Sequence, residues 1–142
     1  MISAPLLSLL LVEDDDVAAE AVVRGLRKHA SDCPVVAAED GATALQILRG
    51  KDAGHRIAKP YLVLLDLNMP GMNGFEFLRE LRADEELRNT VVFVLTTSGA
   101  ESDRARAYRE HIAGYMVKSE VGPQFGGLAR FLTEYRAAIR FP

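Results

Sequence analysis

The sequence predicts an α/β domain: a doubly wound, five-stranded parallel sheet with helices on both faces. Three observations predict it. Five short apolar runs recur along the chain, nearly continuous rather than alternating, as in strands buried on both faces. Amphipathic segments separate them, so strand and helix alternate. Acidic, hydroxyl and lysine side chains stand just after these runs, and open parallel sheets bind ligands at the carboxyl ends of their strands. Right-handed crossovers leave few other topologies. The length of 142 residues suits one domain over 1–142 with no output domain.

The first strand is Leu6–Val12, aliphatic and ending in a cluster of acids. A helix over Asp15–Ala30 follows, with Ala18, Val22, Leu26 and His29 on one face. Its acidic start complements the positive end of the helix dipole, and Asp15 is placed to serve as its N-cap. Pro34–Ala38 is a short second strand. Gly41–Arg49 is helical, with Ala44, Leu45 and Leu48 inward. The polar stretch Gly50–Pro60 is an exposed loop extending that helix. Tyr61–Asp66 is the third strand, apolar on both faces. Asn73–Arg82 is a helix with Asn73 as N-cap and Phe77, Leu78 and Leu81 as its apolar stripe. Val91–Thr96 and Gly114–Val117 are the fourth and fifth strands, separated by a polar, Ala-rich helix over Glu101–Glu110. Pro123–Ile139 is the last helix, with Phe125, Leu128, Leu132, Tyr135 and Ile139 at helical spacing. The stripe continues to Phe141, longer than a small domain needs, and this end is expected to help build a homodimer.

Composition narrows the function classes. The chain is 49% hydrophobic and 26% charged, with a formal net charge of -3, which gives no electrostatic footprint for nucleic acid or a membrane surface. The leading Leu6–Val12 run lacks a basic flank and a cleavage site and passes directly into acids, so it reads as a strand rather than a leader. One cysteine, Cys33, permits no intrachain disulfide and fits a reducing cytoplasm. Cys33 with His29, His55 and His111 makes no zinc spacing.

Under this fold, Glu13, Asp14 and Asp15 follow the first strand, Asp66 ends the third, Thr96 and Thr97 end the fourth, and Lys118 follows the fifth. Clustered carboxylates repel one another, and a hard divalent cation relieves that repulsion. Mg²⁺ takes one or two carboxylates and keeps positions for water or phosphate oxygens. A carboxylate can attack phosphorus and form an acyl phosphate. Such transfer asks mainly for positioning and charge neutralisation. Asp66 is the nucleophile candidate because it ends the central strand. Lys118 can neutralise phosphoryl charge, and the Thr96 hydroxyl can donate to a phosphoryl oxygen.

These residues carry a resemblance. Asp66-Leu67-Asn68-Met69-Pro70-Gly71-Met72-Asn73-Gly74 resembles the phosphoacceptor loop of response-regulator receivers. Leu11-Val12-Glu13-Asp14-Asp15 resembles their acidic metal pair, Val94-Leu95-Thr96-Thr97-Ser98 their switch threonine segment, and Gly114-Tyr115-Met116-Val117-Lys118 their switch aromatic and lysine. The four motifs occur in order and span essentially the whole chain. The resemblance implies a flavodoxin-like receiver fold with Asp66 as phosphoacceptor, and Mg²⁺ held by Glu13, Asp14, Asp66 and the backbone carbonyl of Asn68. Thr96 would move toward the phosphoryl group, Tyr115 would change rotamer, and Lys118 would pair with the phosphate. The implied donor is a sensor histidine kinase, with a histidine phosphotransfer protein as a further partner and readout by protein–protein contact. The long polar loop before Tyr61 and the lack of an output domain most resemble small stand-alone receivers that work beside bacterial phytochrome-type histidine kinases.

Two positions depart from the family. Receivers usually carry Pro after the lysine, often through a cis bond; here it is Ser119. A non-proline cis bond costs roughly 2.5–4 kcal/mol, so a trans bond and a rearranged loop through Glu120-Val121-Gly122 are expected. Thr97 is larger than the Ala or Gly often found there and is expected to restrict access to the phosphate.

Competing readings are weaker. Phosphatases with an aspartyl-phosphate intermediate typically carry a second Asp two positions after the nucleophile; here Asn68 stands there and cannot act as a general acid. The expected role is therefore a phosphoacceptor switch with slow loss of phosphate, not a turnover enzyme. An idle receiver scaffold is disfavoured by the intact acceptor, acids, threonine and lysine. Flavin binding lacks a phosphate-cradling loop after the first strand. DNA binding lacks an appended helix-turn-helix.

Overall fold

The computed structural model describes residues 6–29 and 32–142. Five strands, β1 (Ser8–Val12), β2 (Val35–Ala38), β3 (Tyr61–Leu65), β4 (Val92–Thr96) and β5 (Gly114–Val117), form one sheet. Their order is β2-β1-β3-β4-β5, and every pair is parallel. The helices are α1 (Asp16–Lys28), α2 (Gly41–Leu48), α3 (Gly74–Ala83), α4 (Glu101–Tyr108) and α5 (Gly126–Ala138). No helix among the described residues is long and apolar enough to cross a membrane.

The strands divide their side chains between two layers, as the two-residue period requires. Leu9 and Leu11 of β1 pack with Val22 and Leu26 of α1 and with Leu128 and Leu132 of α5. Leu10 and Val12 face the other way, toward Leu45 of α2, Phe77 and Leu81 of α3 and Ala107 of α4. Both faces of the sheet are thus covered, which explains why the strands read as continuous apolar runs. The expected doubly wound sheet is the one observed. After β2 the chain crosses back over β1, so strand order reverses between β1 and β3.

Element ends differ from expectation by a few residues, each for a physical reason. Leu6 is half exposed and outside the ladder, which begins where the Ser8 N–H reaches the Pro60 carbonyl. Pro34 has no N–H to give β2, although its carbonyl accepts from Leu9. Asp66 lies just past β3 rather than in it. Val91 precedes β4, although its carbonyl accepts from Val63. Ala30, expected to end the first helix, and Met1–Pro5, ahead of the first strand, lie outside the described residues. On α1, Gly25 and Leu26 are buried while His29 is exposed; on α2, Ile47 is buried more deeply than Leu48. Asp15 is the N-cap of α1, accepting from the Val17 and Ala18 N–H groups. Asn73 caps α3 and completes a capping box with Glu76.

The last helix starts later than its hydrophobic period suggests. Gln124 and Phe125 have φ of 53° and 61°, in the left-handed region, so a right-handed helix cannot run through them. Pro123–Phe125 instead forms a 3₁₀ turn, and α5 begins at Gly126. At the other end Ile139 is extended, and Phe141 packs edge-on against Tyr135 at 5.9 Å. The apolar end of the stripe is therefore partly satisfied within the chain. A homodimer has less free surface to use there than the sequence suggested.

The end of α4 is shortened by a contact invisible in the sequence pattern. Arg82, at the end of α3, donates to the carbonyls of Glu110, Arg88, Thr90 and His111, all at 2.8–2.9 Å. His111 has φ 58°, and its carbonyl is turned toward the guanidinium instead of continuing the helix. Burial pushes the Arg82 pKa down from its ordinary value and the Glu110 charge opposes that fall; a guanidinium stays protonated in proteins. One side chain thus ties together the segments that lead into β4 and β5. Arg82→Ala is expected to destabilise the domain by about 2 kcal/mol, because charge-assisted bonds are lost and partly shielded carbonyls are left to water. Urea unfolding of the two proteins measures it; a change below about 0.5 kcal/mol, the level of an ordinary surface substitution, would contradict it.

Candidate functional site

The residues that end the strands converge because the ladders bring them side by side. Val12 pairs with Leu65, so the next residues, Glu13 and Asp66, stand next to each other at the reversal of strand order. The ladder continues one bond further: the Asp66 N–H donates to the Val12 carbonyl and the Glu13 N–H to the Ala38 carbonyl, both at 3.0 Å. Thr96 pairs with Val117, which places Lys118 one residue past that pair. Gly74 holds the loop after β3 close to α3: a Cβ there would lie 2.7 Å from the Asp66 carbonyl and from the Leu67 Cα.

Glu13 and Asp66 are buried, at 5% and 9% exposure, and Asp14 is exposed beside them. One oxygen from each of the three lies within 4.8 Å of the others. Burial raises the Glu13 pKa above the usual carboxylate range. The hydrogen bond from Lys118 opposes that rise, and the neighbouring Asp66 adds to it. An all-oxygen donor set of this kind, buried on one side and open at Asp14, suits a hard cation such as Mg²⁺. Asn68 is exposed on the loop after β3, and its N–H donates to Asp66 Oδ1 at 3.3 Å.

Lys118 takes a partner that the sequence did not indicate. Its ammonium is hydrogen-bonded to Glu13 Oε1. The Lys118–Ser119 bond is trans, since the single cis peptide among the described residues precedes Pro60. The loop after it is a 3₁₀ turn over Lys118–Glu120, then Gly122 at φ 83°, then the second turn into α5. Thr97 is exposed at the end of β4.

Thr96 is fully buried, and its Oγ1 accepts from the Ser98 N–H at 3.4 Å. Tyr115 is half-buried, and its hydroxyl donates to the Ser98 carbonyl at 2.8 Å. Burial pushes the Tyr115 pKa up, which keeps the phenol protonated and able to donate. Ser98 is also bound to α4: its hydroxyl donates to Asp103 Oδ2 at 2.7 Å and accepts from the Ala100 N–H at 3.2 Å. Sequence reasoning missed Asp103. The available signal was Ala100, which sits at the N-cap of α4 and has no side chain able to cap it.

Comparison with known proteins places this arrangement. A family model described as response regulator receiver domain matches residues 9–124. The probable methanogenesis regulatory protein FilR2 of Methanothrix harundinacea is 37% identical over 110 residues, 78% of this chain and 70% of that protein. Response regulator Rcp1 of Synechocystis is 34% identical over 111 residues, 78% of this chain and 76% of that protein. The solved structure of the phosphorylated cyanobacterial phytochrome response regulator RcpA superposes with a TM-score of 0.82 at 29% identity, covering 97% of this chain and 99% of that one.

Proposed function

Because the chain belongs to the response-regulator receiver family, we propose that it is a phosphorylation switch that accepts a phosphoryl group on Asp66 and signals by protein–protein contact. The observation that carries this reading is the packing of Glu13, Asp14 and Asp66 into one oxygen cluster with Lys118 at its edge.

The transfer balances simply. An Asp66 carboxylate oxygen forms a bond to phosphorus as the phosphorus–nitrogen bond of a donor phosphohistidine breaks. The electron pair leaves with the imidazole, which takes up a proton. Glu13, Asp14, Asp66 and the Asn68 carbonyl would hold Mg²⁺. When bound, it supplies charge neutralisation for the phosphoryl oxygens. Lys118 is already within the site and needs only to exchange Glu13 for a phosphoryl oxygen. Thr96, fully buried at the end of β4, would turn its hydroxyl toward the same group. The absence of a second Asp at position 68 leaves no obvious general acid to speed hydrolysis, which supports a switch over a turnover enzyme.

The donor is proposed to be a cytoplasmic histidine kinase of the phytochrome type, on the likeness to Rcp1 and RcpA. A histidine phosphotransfer protein would be a second source or sink of the phosphoryl group. Incubation with acetyl phosphate, with and without Mg²⁺, followed by intact mass measurement tests the chemistry. A single Mg²⁺-dependent phosphoryl adduct is expected. No adduct from acetyl phosphate or from a phosphorylated histidine kinase would favour an idle receiver scaffold.

A further inference from the structure

Ser98 spends every polar group it has on joining three elements. Its N–H meets Thr96 at the end of β4, its carbonyl receives the Tyr115 hydroxyl from β5, and its own hydroxyl grips Asp103 in the first turn of α4. The last bond, at 2.7 Å, is short and charge-assisted, and so stronger than a bond between neutral groups. It also matters more than its size suggests, because α4 has little else to hold it. Ala107 is its one buried residue, Arg106 lies over the Phe75 ring at 4.0 Å, and its N-cap Ala100 offers no side-chain bond.

We propose that the Ser98–Asp103 hydrogen bond is the link through which a change at Thr96 reaches α4, with Asp103 a positioning residue acting through Ser98. This rests on Asp66 being the phosphoacceptor. A turn of the Thr96 hydroxyl toward a phosphoryl oxygen moves the acceptor of the Ser98 N–H. Ser98 is two residues away on a short turn, so it follows. Its hydroxyl then draws the first turn of α4 with it, while its carbonyl resets the Tyr115 hydroxyl. The helix and the aromatic ring respond together because one residue holds both. A conformational change needs contacts that differ between the two states, and the three bonds of Ser98 supply them.

The test uses the full chain with acetyl phosphate and Mg²⁺. Phosphoryl occupancy is read by intact mass, and the amide shift changes of Glu101–Tyr108 are read by ¹⁵N NMR and compared at equal occupancy. Asp103→Ala and Ser98→Ala are each expected to reduce the α4 response roughly threefold or more, the population effect of losing one hydrogen bond. The double variant should lose no more than either single one. Asp103→Asn should keep the response, because its amide oxygen accepts the same bond while the charge at the helix N-terminus is gone. An unchanged α4 response in Asp103→Ala overturns the link while leaving the acceptor assignment standing. So does a response that Asn fails to restore, since the charge alone would then explain it. No adduct on the wild-type chain removes the acceptor and the link together.

Discussion

Asp66→Asn is expected to abolish the Mg²⁺-dependent phosphoryl adduct and to leave the fold intact. The chemical reason is nucleophilicity: a carboxylate oxygen carries the negative charge that attacks phosphorus, and a neutral amide does not. The structural reason for an intact fold is that Asp66 makes few demands on its surroundings. Its side chain accepts only a long bond from the Asn68 N–H, at 3.3 Å, which an Asn oxygen can still accept, more weakly. Its backbone N–H, bound to Val12, is untouched by the substitution. Removing its charge also relieves Glu13, whose pKa is raised in part by Asp66. Stability should therefore hold or rise slightly, which urea unfolding would show. Intact mass after acetyl phosphate treatment is the decisive readout. An undiminished adduct on the variant would move the acceptor to another carboxylate, with Asp14 and Glu13 the nearest.

Phe77→Ala is expected to destabilise the domain by about 3–5 kcal/mol, the usual cost of emptying a large aromatic site in a core. Phe77 is 0% exposed and sits among Leu10, Val63, Leu65 and Leu81, between the sheet and α3. Its Cβ also approaches α2 so closely that a Cβ on Gly41 would stand 3.1 Å from it. The strands on one side are tied into a five-membered ladder and cannot collapse freely into the space. Domains of this kind are stable by only about 5–15 kcal/mol, so the loss is a large share of the total. Urea unfolding should show a lower midpoint with little change in slope. A loss below about 1.5 kcal/mol would mean that α3 shifts to fill the cavity, and that this side of the core is softer than its packing indicates.

The site was more legible in the sequence than the helix ends were. Glu13, Asp66 and Lys118 follow strands and Thr96 ends one, and parallel strands deliver the residues at their carboxyl ends to one edge whatever the details of the helices. Helix ends are different, because they depend on single backbone conformations. The left-handed Gln124 and Phe125 break a stripe that reads smoothly from Phe125 to Ile139. In residue type, only Gly122 and Pro123 just before it and Gly126-Gly127 just after it hint at that break. His111 is likewise left-handed, with its carbonyl bound to an arginine 29 residues earlier in the chain.

The sequence by itself determined the alternation of strands and helices, the burial of the sheet on both faces, and the set of acids, hydroxyl and lysine at its edge. Those follow from periodicity and from position relative to a strand, which are local properties. Only the tertiary structure decided that Lys118 rests on Glu13, that Arg82 gathers four carbonyls, and that Ser98 joins Thr96, Tyr115 and Asp103. Each of those depends on where a side chain finds a free partner after the backbone has folded. That is settled by three-dimensional proximity and the need to satisfy polar groups shielded from water, not by the pattern of residues along the chain.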